Sequence, residues 1–87
     1  NYKLREATLE KRSKFLKEWR DRWVVVTQNY LFTFKSQNEL TEPTDILDLR
    51  QINSIKTYLK KFDDMDINSI KITTEDSAMY FKCKTPV

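Results

Sequence analysis

KRSKFLKEWRDRWVVV, residues 11–26, decides how the chain reads. Six basic residues, Lys11, Arg12, Lys14, Lys17, Arg20 and Arg22, surround the apolar pair Phe15-Leu16. The stretch runs directly into Trp23-Val24-Val25-Val26, the most strand-like segment in the sequence. Aromatic and β-branched side chains suit a pleated, half-buried surface. Side chains alternate along a strand. Arg20, Arg22, Val24 and Val26 therefore share one face, and Trp19, Asp21, Trp23 and Val25 the other. Val24 and Val26 read as core. Lys11, at the end of a preceding strand, joins Arg20 and Arg22 across one hairpin mouth. The alternative is a helix through 9–20, which is rich in good helix formers.

Outward from this stretch the pattern stays β. Residues 4–11 place Ala7, Leu9 and Lys11 on one face and predict a strand. Gln28-Asn29 predicts a two-residue turn, Asn being able to take positive φ. Residues 30–36 (YLFTFKS) predict the return strand, and 37–44 a loop, with Pro43 ending it. Further strands are predicted at 46–49, 52–59, 67–74 and 78–84, with a charged loop at 60–66. About seven short strands without a convincing helix predict an all-β fold. The expected form is an antiparallel meander curled into a small sandwich or partly open barrel.

Eighty-seven residues allow a single small domain. The absence of histidine removes the usual catalytic base and the commonest metal ligand. The absence of glycine excludes a phosphate-cradling glycine loop. No nucleophile–base pair can be named, so the chain is not read as an enzyme, and no cofactor or metal is expected. Lys60-Lys61 with Asp63, Asp64 and Asp66 reads as a solvated loop, since it lacks the glycine and terminal glutamate of a calcium loop. The lone Cys83 reads as a small core or strand residue, and one thiol with no signal-peptide-like start suggests a reducing intracellular setting.

The net charge of +3 is polarised: residues 1–35 hold nine Lys/Arg against four acids (+5), and 36–87 hold seven against nine (−2). Such a molecule points its positive end at an anionic partner, whether membrane surface, acidic protein or nucleic acid. Several phosphates on one ring need cations at fixed separations; Arg grips bidentately and Lys acts as a point charge. Lys14 and Lys17 sit on the loop, where they can close over a ligand or lie against anionic lipid. Phe15-Leu16 either inserts at a membrane interface or folds back onto the domain. Arg20 and Arg22 are either part of a phosphate clamp or a solvated face paired with Glu18 or Asp21. Trp19 and Trp23 read as structural, and a nucleic-acid stacking groove is the weaker reading.

The order of segments resembles a pleckstrin-homology (PH) domain over most of the chain. The resemblance rests on Ala7-Thr8-Leu9-Glu10-Lys11, then Trp19-Arg20-Asp21-Arg22-Trp23-Val24-Val25-Val26, then Leu31-Phe32-Thr33-Phe34. Asp45-Ile46-Leu47-Asp48-Leu49, Ser69–Thr74 and Met79–Lys84 resemble later strands. The Lys11 to Arg20-x-Arg22 spacing is similar to the basic signature of phosphoinositide-binding members. The resemblance implies a membrane-targeting module for a larger intracellular signalling or trafficking protein, cytoplasmic and peripheral to the membrane. It implies headgroup binding by Lys11, Arg20, Arg22, Lys14 and Lys17, and membrane contact by Phe15 and Leu16. The alternative is a protein-interaction module on the same fold without specific lipid binding. Ala7-Thr8 replaces the family's Gly-aromatic pair, and Thr33 and Thr44 stand where tyrosine and a basic residue often contribute, which lowers the expected affinity. The family's C-terminal capping helix has no counterpart before Val87, so residues 1–87 read as a single, C-terminally incomplete domain. An uncapped barrel would expose apolar surface and sheet edge and tend to associate.

Overall fold

In the computed structural model, residues 3–13, 15–58 and 69–83 are described. Among them are seven strands: β1 (Arg5–Arg12), β2 (Trp19–Val26), β3 (Tyr30–Phe34), β4 (Asp45–Asp48), β5 (Ile52–Tyr58), β6 (Ser69–Thr74) and β7 (Ala78–Lys82). A short 3-10 turn, Leu49–Gln51, separates β4 from β5. No α-helix occurs among the described residues, and none is long and apolar enough to cross a membrane. The expected all-β meander is therefore present, and the helix through 9–20 is not.

All seven strands form one antiparallel sheet in the order β4-β3-β2-β1-β7-β6-β5. The two halves meet where β1 pairs with β7, at Glu10↔Lys82 and Lys11↔Phe81. Val24 of β2, Leu31 of β3, Leu47 of β4, Ile72 of β6 and Phe81 of β7 bury into one cluster. Side chains from both halves meet there, so the sheet curls around a single core while β4 and β5 remain edges. Val26 packs against the cluster as its alternation requires.

The opposite face of β2–β3 is also apolar. Val25 and Phe34 are buried, and the rings of Tyr30, Phe32 and Phe34 follow one another along β3, their centres 5.9 and 6.3 Å apart. Leu40 and Pro43 of the loop before β4 line a hollow with Val25, Phe32 and Phe34. This explains why Trp23-Val24-Val25-Val26 is apolar on both faces.

The hairpin turns correct one expectation. Among the described residues the only positive φ is at Lys17, 55°, so Asn29 does not take it. The chain closes these turns with threonine hydroxyls instead. Thr27 N–H donates to the Tyr30 carbonyl (2.8 Å), and Tyr30 N–H donates to Thr27 Oγ1 (3.2 Å). The β6–β7 turn repeats the device: Thr74 N–H donates to the Ser77 carbonyl (2.8 Å), and Ser77 N–H donates to Thr74 Oγ1 (3.2 Å). Thr74→Val keeps the shape and removes the acceptor. It should destabilise the domain by about 1 kcal/mol, measured by urea unfolding.

Other boundaries shift. β3 ends at Phe34, β4 starts at Asp45, and β7 ends at Lys82. Cys83 is exposed just beyond β7, not the core or strand residue expected. Leu49 leaves the strand because Asp48 caps the 3-10 turn, accepting from Arg50 N–H (3.0 Å) and from Arg50 Nε (2.9 Å) and Nη2 (2.9 Å). These Arg50 hydrogen bonds hold the Asp48 carboxyl below the usual carboxylate range. The pairing is thus present at neutral pH and is lost as pH falls through that lowered value. The charged stretch 60–66, with Asp63, Asp64 and Asp66, lies outside the described residues, as does Leu59 at the end of the predicted 52–59 strand.

Candidate functional site

The β1–β2 hairpin builds the site. Lys11 lies directly opposite Arg20, and Leu9 opposite Arg22, in the strand register. Lys11, Arg20 and Arg22 therefore fall on the face that also carries Val24, as alternation predicts. The loop is pinned at its base: Ser13 N–H donates to the Glu18 carbonyl (2.7 Å), and Glu18 N–H donates to Ser13 Oγ (3.0 Å). Lys17 then turns in the left-handed region, at a cost of roughly 1 kcal/mol for a residue with a Cβ. Phe15 and Leu16 are left at the tip, 91% and 65% exposed, and do not fold back as core.

Lys11, Arg12, Lys17, Arg20 and Arg22 line one cleft of about 720 Å³, with Phe15 at its edge. Its other walls come from Thr44 to Leu47 on the β4 side and Ser77 to Tyr80 on the β7 side. Among the described residues the lining holds five cations and one acid, Asp45, a net of +4. Of the residues expected to bind or to touch membrane, Lys11, Lys17, Arg20, Arg22 and Phe15 come together here. Leu16 is exposed next to the cleft without lining it, and Lys14 lies outside the described residues.

The cations are partly engaged already. Arg20 Nη2 donates to Glu18 Oε2 at 3.0 Å, both groups being well exposed. Such a surface pair is worth little and yields readily to a better partner. Arg22 Nη1 donates to the Asp21 backbone carbonyl at 2.8 Å, leaving the rest of its donor fork for a ligand. Lys11 is deeper, its side chain 12% exposed, with Nζ 3.2 Å from Asp45 Oδ2.

Behind Asp45 lies a polar floor. Thr33 is fully buried. Its Oγ1 is 2.6 Å from Thr44 Oγ1 and donates to Asp45 Oδ2 at 3.4 Å. Thr44 N–H donates to the Thr33 carbonyl at 2.6 Å, and Thr44 Oγ1 lies 3.1 Å from that carbonyl. Thr33 and Thr44 thus carry no charge into the cleft but hold the start of β4. The sequence reading missed Asp45 and Arg12 as lining residues.

A second group of cations occupies the outer face. Tyr80 is flanked by Arg12 and Lys71, 5.5 and 5.6 Å from its ring centre. Lys71 faces Lys56 in the register, and Lys82 Nζ sits 4.5 Å over Trp19. Trp19 is thus packed under a lysine, and Trp23 is half-buried with its Nε1 buried and unpartnered among the described residues. Both tryptophans are used in packing. Glu10 and Asp21 oppose one another on this face, and Lys82 pairs with Glu10.

Known proteins show the same architecture. The PH domain of Slm1 in complex with phosphoserine is 25% identical, with a TM-score of 0.75 over 95% of this chain and 81% of that one. A structure of the Slm1 PH domain with inositol-4-phosphate matches at 24% identity and a TM-score of 0.72, covering 95% of this chain and 83% of that one. The carboxyl-terminal PH domain of pleckstrin matches at 18% identity and a TM-score of 0.79, covering 99% and 84%, a likeness of fold alone. A search of curated protein sequences finds no match. The sequence model of one family, described as PH domain, matches residues 2–84. With its strand order, curled sheet and basic β1–β2 hairpin, the chain belongs to the PH domain family.

Proposed function

We propose that the cleft binds the phosphates of a phosphoinositide headgroup and brings a larger intracellular protein to an anionic membrane surface from the cytoplasmic side. The observation that carries this is the convergence of Lys11, Lys17, Arg20 and Arg22 on one cleft beneath an exposed Phe15-Leu16 tip. Lys11, Arg20 and Arg22 form the clamp, Lys14 and Lys17 close over it, and Phe15 and Leu16 enter the interface. The PH domain family is one of non-catalytic binding modules, and the phosphate monoesters bound by the Slm1 domain have the chemistry this cleft suits.

Basic residues near an acidic leaflet are worth about 1 kcal/mol each. A cleft of net +4 thus supplies roughly 4 kcal/mol, a millimolar contact before any specific hydrogen bond forms. Charge-assisted bonds to phosphate must supply the remainder.

Sedimentation with vesicles tests the reading. Binding should be stronger to vesicles containing phosphoinositide than to phosphatidylserine vesicles of equal surface charge, and should weaken with salt. Phe15→Asp with Leu16→Asp should reduce vesicle binding about tenfold and leave soluble inositol phosphate binding unchanged. Equal binding to all anionic vesicles would reduce the function to nonspecific attraction. No lipid binding by the folded protein would favour a protein-interaction module.

The outer face is a second location for the same ligand chemistry. Lys56 opposite Lys71 is a like-charge pair that an anion would relieve. Yet Lys56, Lys71 and Lys82 there, leaving aside Arg12, which also lines the cleft, are offset by Glu10 and Asp21, a net of +1. The cleft, at +4, is the stronger attractor.

A further inference from the structure

We propose that Asp45 is an internal counter-ion that sets the selectivity of the cleft, cancelling the advantage that adjacent phosphates would otherwise have over a single phosphate. This deepens the proposed phosphoinositide reading and rests on it. Asp45 is the one acid among the described lining residues. Its Oδ2 lies 3.2 Å from Lys11 Nζ and accepts from Thr33 Oγ1 at 3.4 Å. The carboxylate is thus held against the deepest cation of the cleft by a buried threonine, which is itself tied to Thr44. Asp45 occupies the ammonium as a ligand phosphate would.

The consequence is a division of the cations. Lys17, Arg20 and Arg22 also line the cleft, Arg20 paired with Glu18 and Arg22 bonded to the Asp21 carbonyl, and receive the first phosphate. A second phosphate on the neighbouring ring carbon needs another cation, and Lys11 is the deeper one. Approaching Lys11 brings it close to a carboxylate, and like charges a few ångströms apart repel strongly where water is partly excluded. The added phosphate therefore gains little. The same repulsion acts far less on a headgroup that stops at the first phosphate.

Asp45→Asn removes the charge and retains an oxygen for Thr33. Calorimetry with two soluble probes, inositol monophosphate and an inositol bisphosphate with adjacent phosphates, reads the effect. In the unmodified protein the two should bind within about threefold of one another. In D45N the bisphosphate should gain about tenfold and the monophosphate less than about threefold. In D45N, adding Lys11→Ala should cost the bisphosphate about tenfold. Asp45→Ser provides the same test if D45N is unfolded by circular dichroism. A bisphosphate-to-monophosphate ratio unchanged by both substitutions, in proteins that bind, overturns the role of Asp45 and leaves the cleft reading standing. Failure of both probes to bind the folded protein and the folded variants overturns both.

Discussion

Phe81→Ala is expected to remove much of the stability of the domain. Phe81 is 3% exposed and is the penultimate residue of β7. It opposes Lys11 on one side and Ile70 on the other. It is therefore the core residue at the join between the two halves of the sheet. Truncating a buried phenylalanine costs about 3–5 kcal/mol, part transfer and part cavity. Domains of this length have total stabilities of roughly 4–13 kcal/mol. The urea midpoint should fall by about 2 M, given slopes of roughly 1–3 kcal/mol/M. Ile55→Ala, at a position 60% exposed on an edge strand, should change stability by less than about 0.5 kcal/mol. Equal effects of the two substitutions would contradict the single core. Since Phe81 pairs with Lys11, a partly folded F81A protein should also lose ligand affinity.

The second large effect concerns binding alone. Replacing Arg20 and Arg22 together by Ala takes the cleft lining from five cations to three. Each lost charge-assisted bond to phosphate is worth about 1.5–3 kcal/mol. Together they predict a loss of roughly 3–6 kcal/mol, at least a hundredfold in affinity. Stability should hardly change. The native partner of Arg20 is an exposed Glu18, a pair of marginal worth, and Arg22 donates to its neighbour's carbonyl. Unfolding curves that superimpose, with affinity lost by titration calorimetry, would assign both arginines to binding. A loss below about threefold would place the ligand elsewhere.

Much of this arrangement is legible in the sequence because it is local. Alternation puts Arg20, Arg22, Val24 and Val26 on one face, and the β2–β3 hairpin follows from two apolar runs flanking Gln28-Asn29. The turn chemistry is less legible: Asn was the obvious candidate for positive φ, but Thr27 and Thr74 close their hairpins by hydroxyl bonds to residues three positions on. Long-range features are hidden for a different reason. Nothing in the segment around Asp45 indicates that its carboxylate reaches Lys11, because that contact exists only once the sheet curls. In the sequence Thr33 reads as the loss of a functional tyrosine, and its burial beneath Asp45 depends on the same curvature. The pairing of Lys56 with Lys71 beside Tyr80 likewise depends on the register of strands joined by the residues around 60–66. Cys83 looked like part of the last strand, yet β7 stops one residue earlier.

The central claim is that an anion binds on the cleft face of the β1–β2 hairpin. Amide chemical-shift mapping during titration with a soluble inositol phosphate tests it most directly. Shifts are predicted at Lys11, Arg20, Arg22, Thr44 and Ser77, which line the cleft, with little change at Lys56, Lys71 and Thr73 on the outer face. Shifts confined to the outer-face strands, or none at saturating ligand, would contradict it.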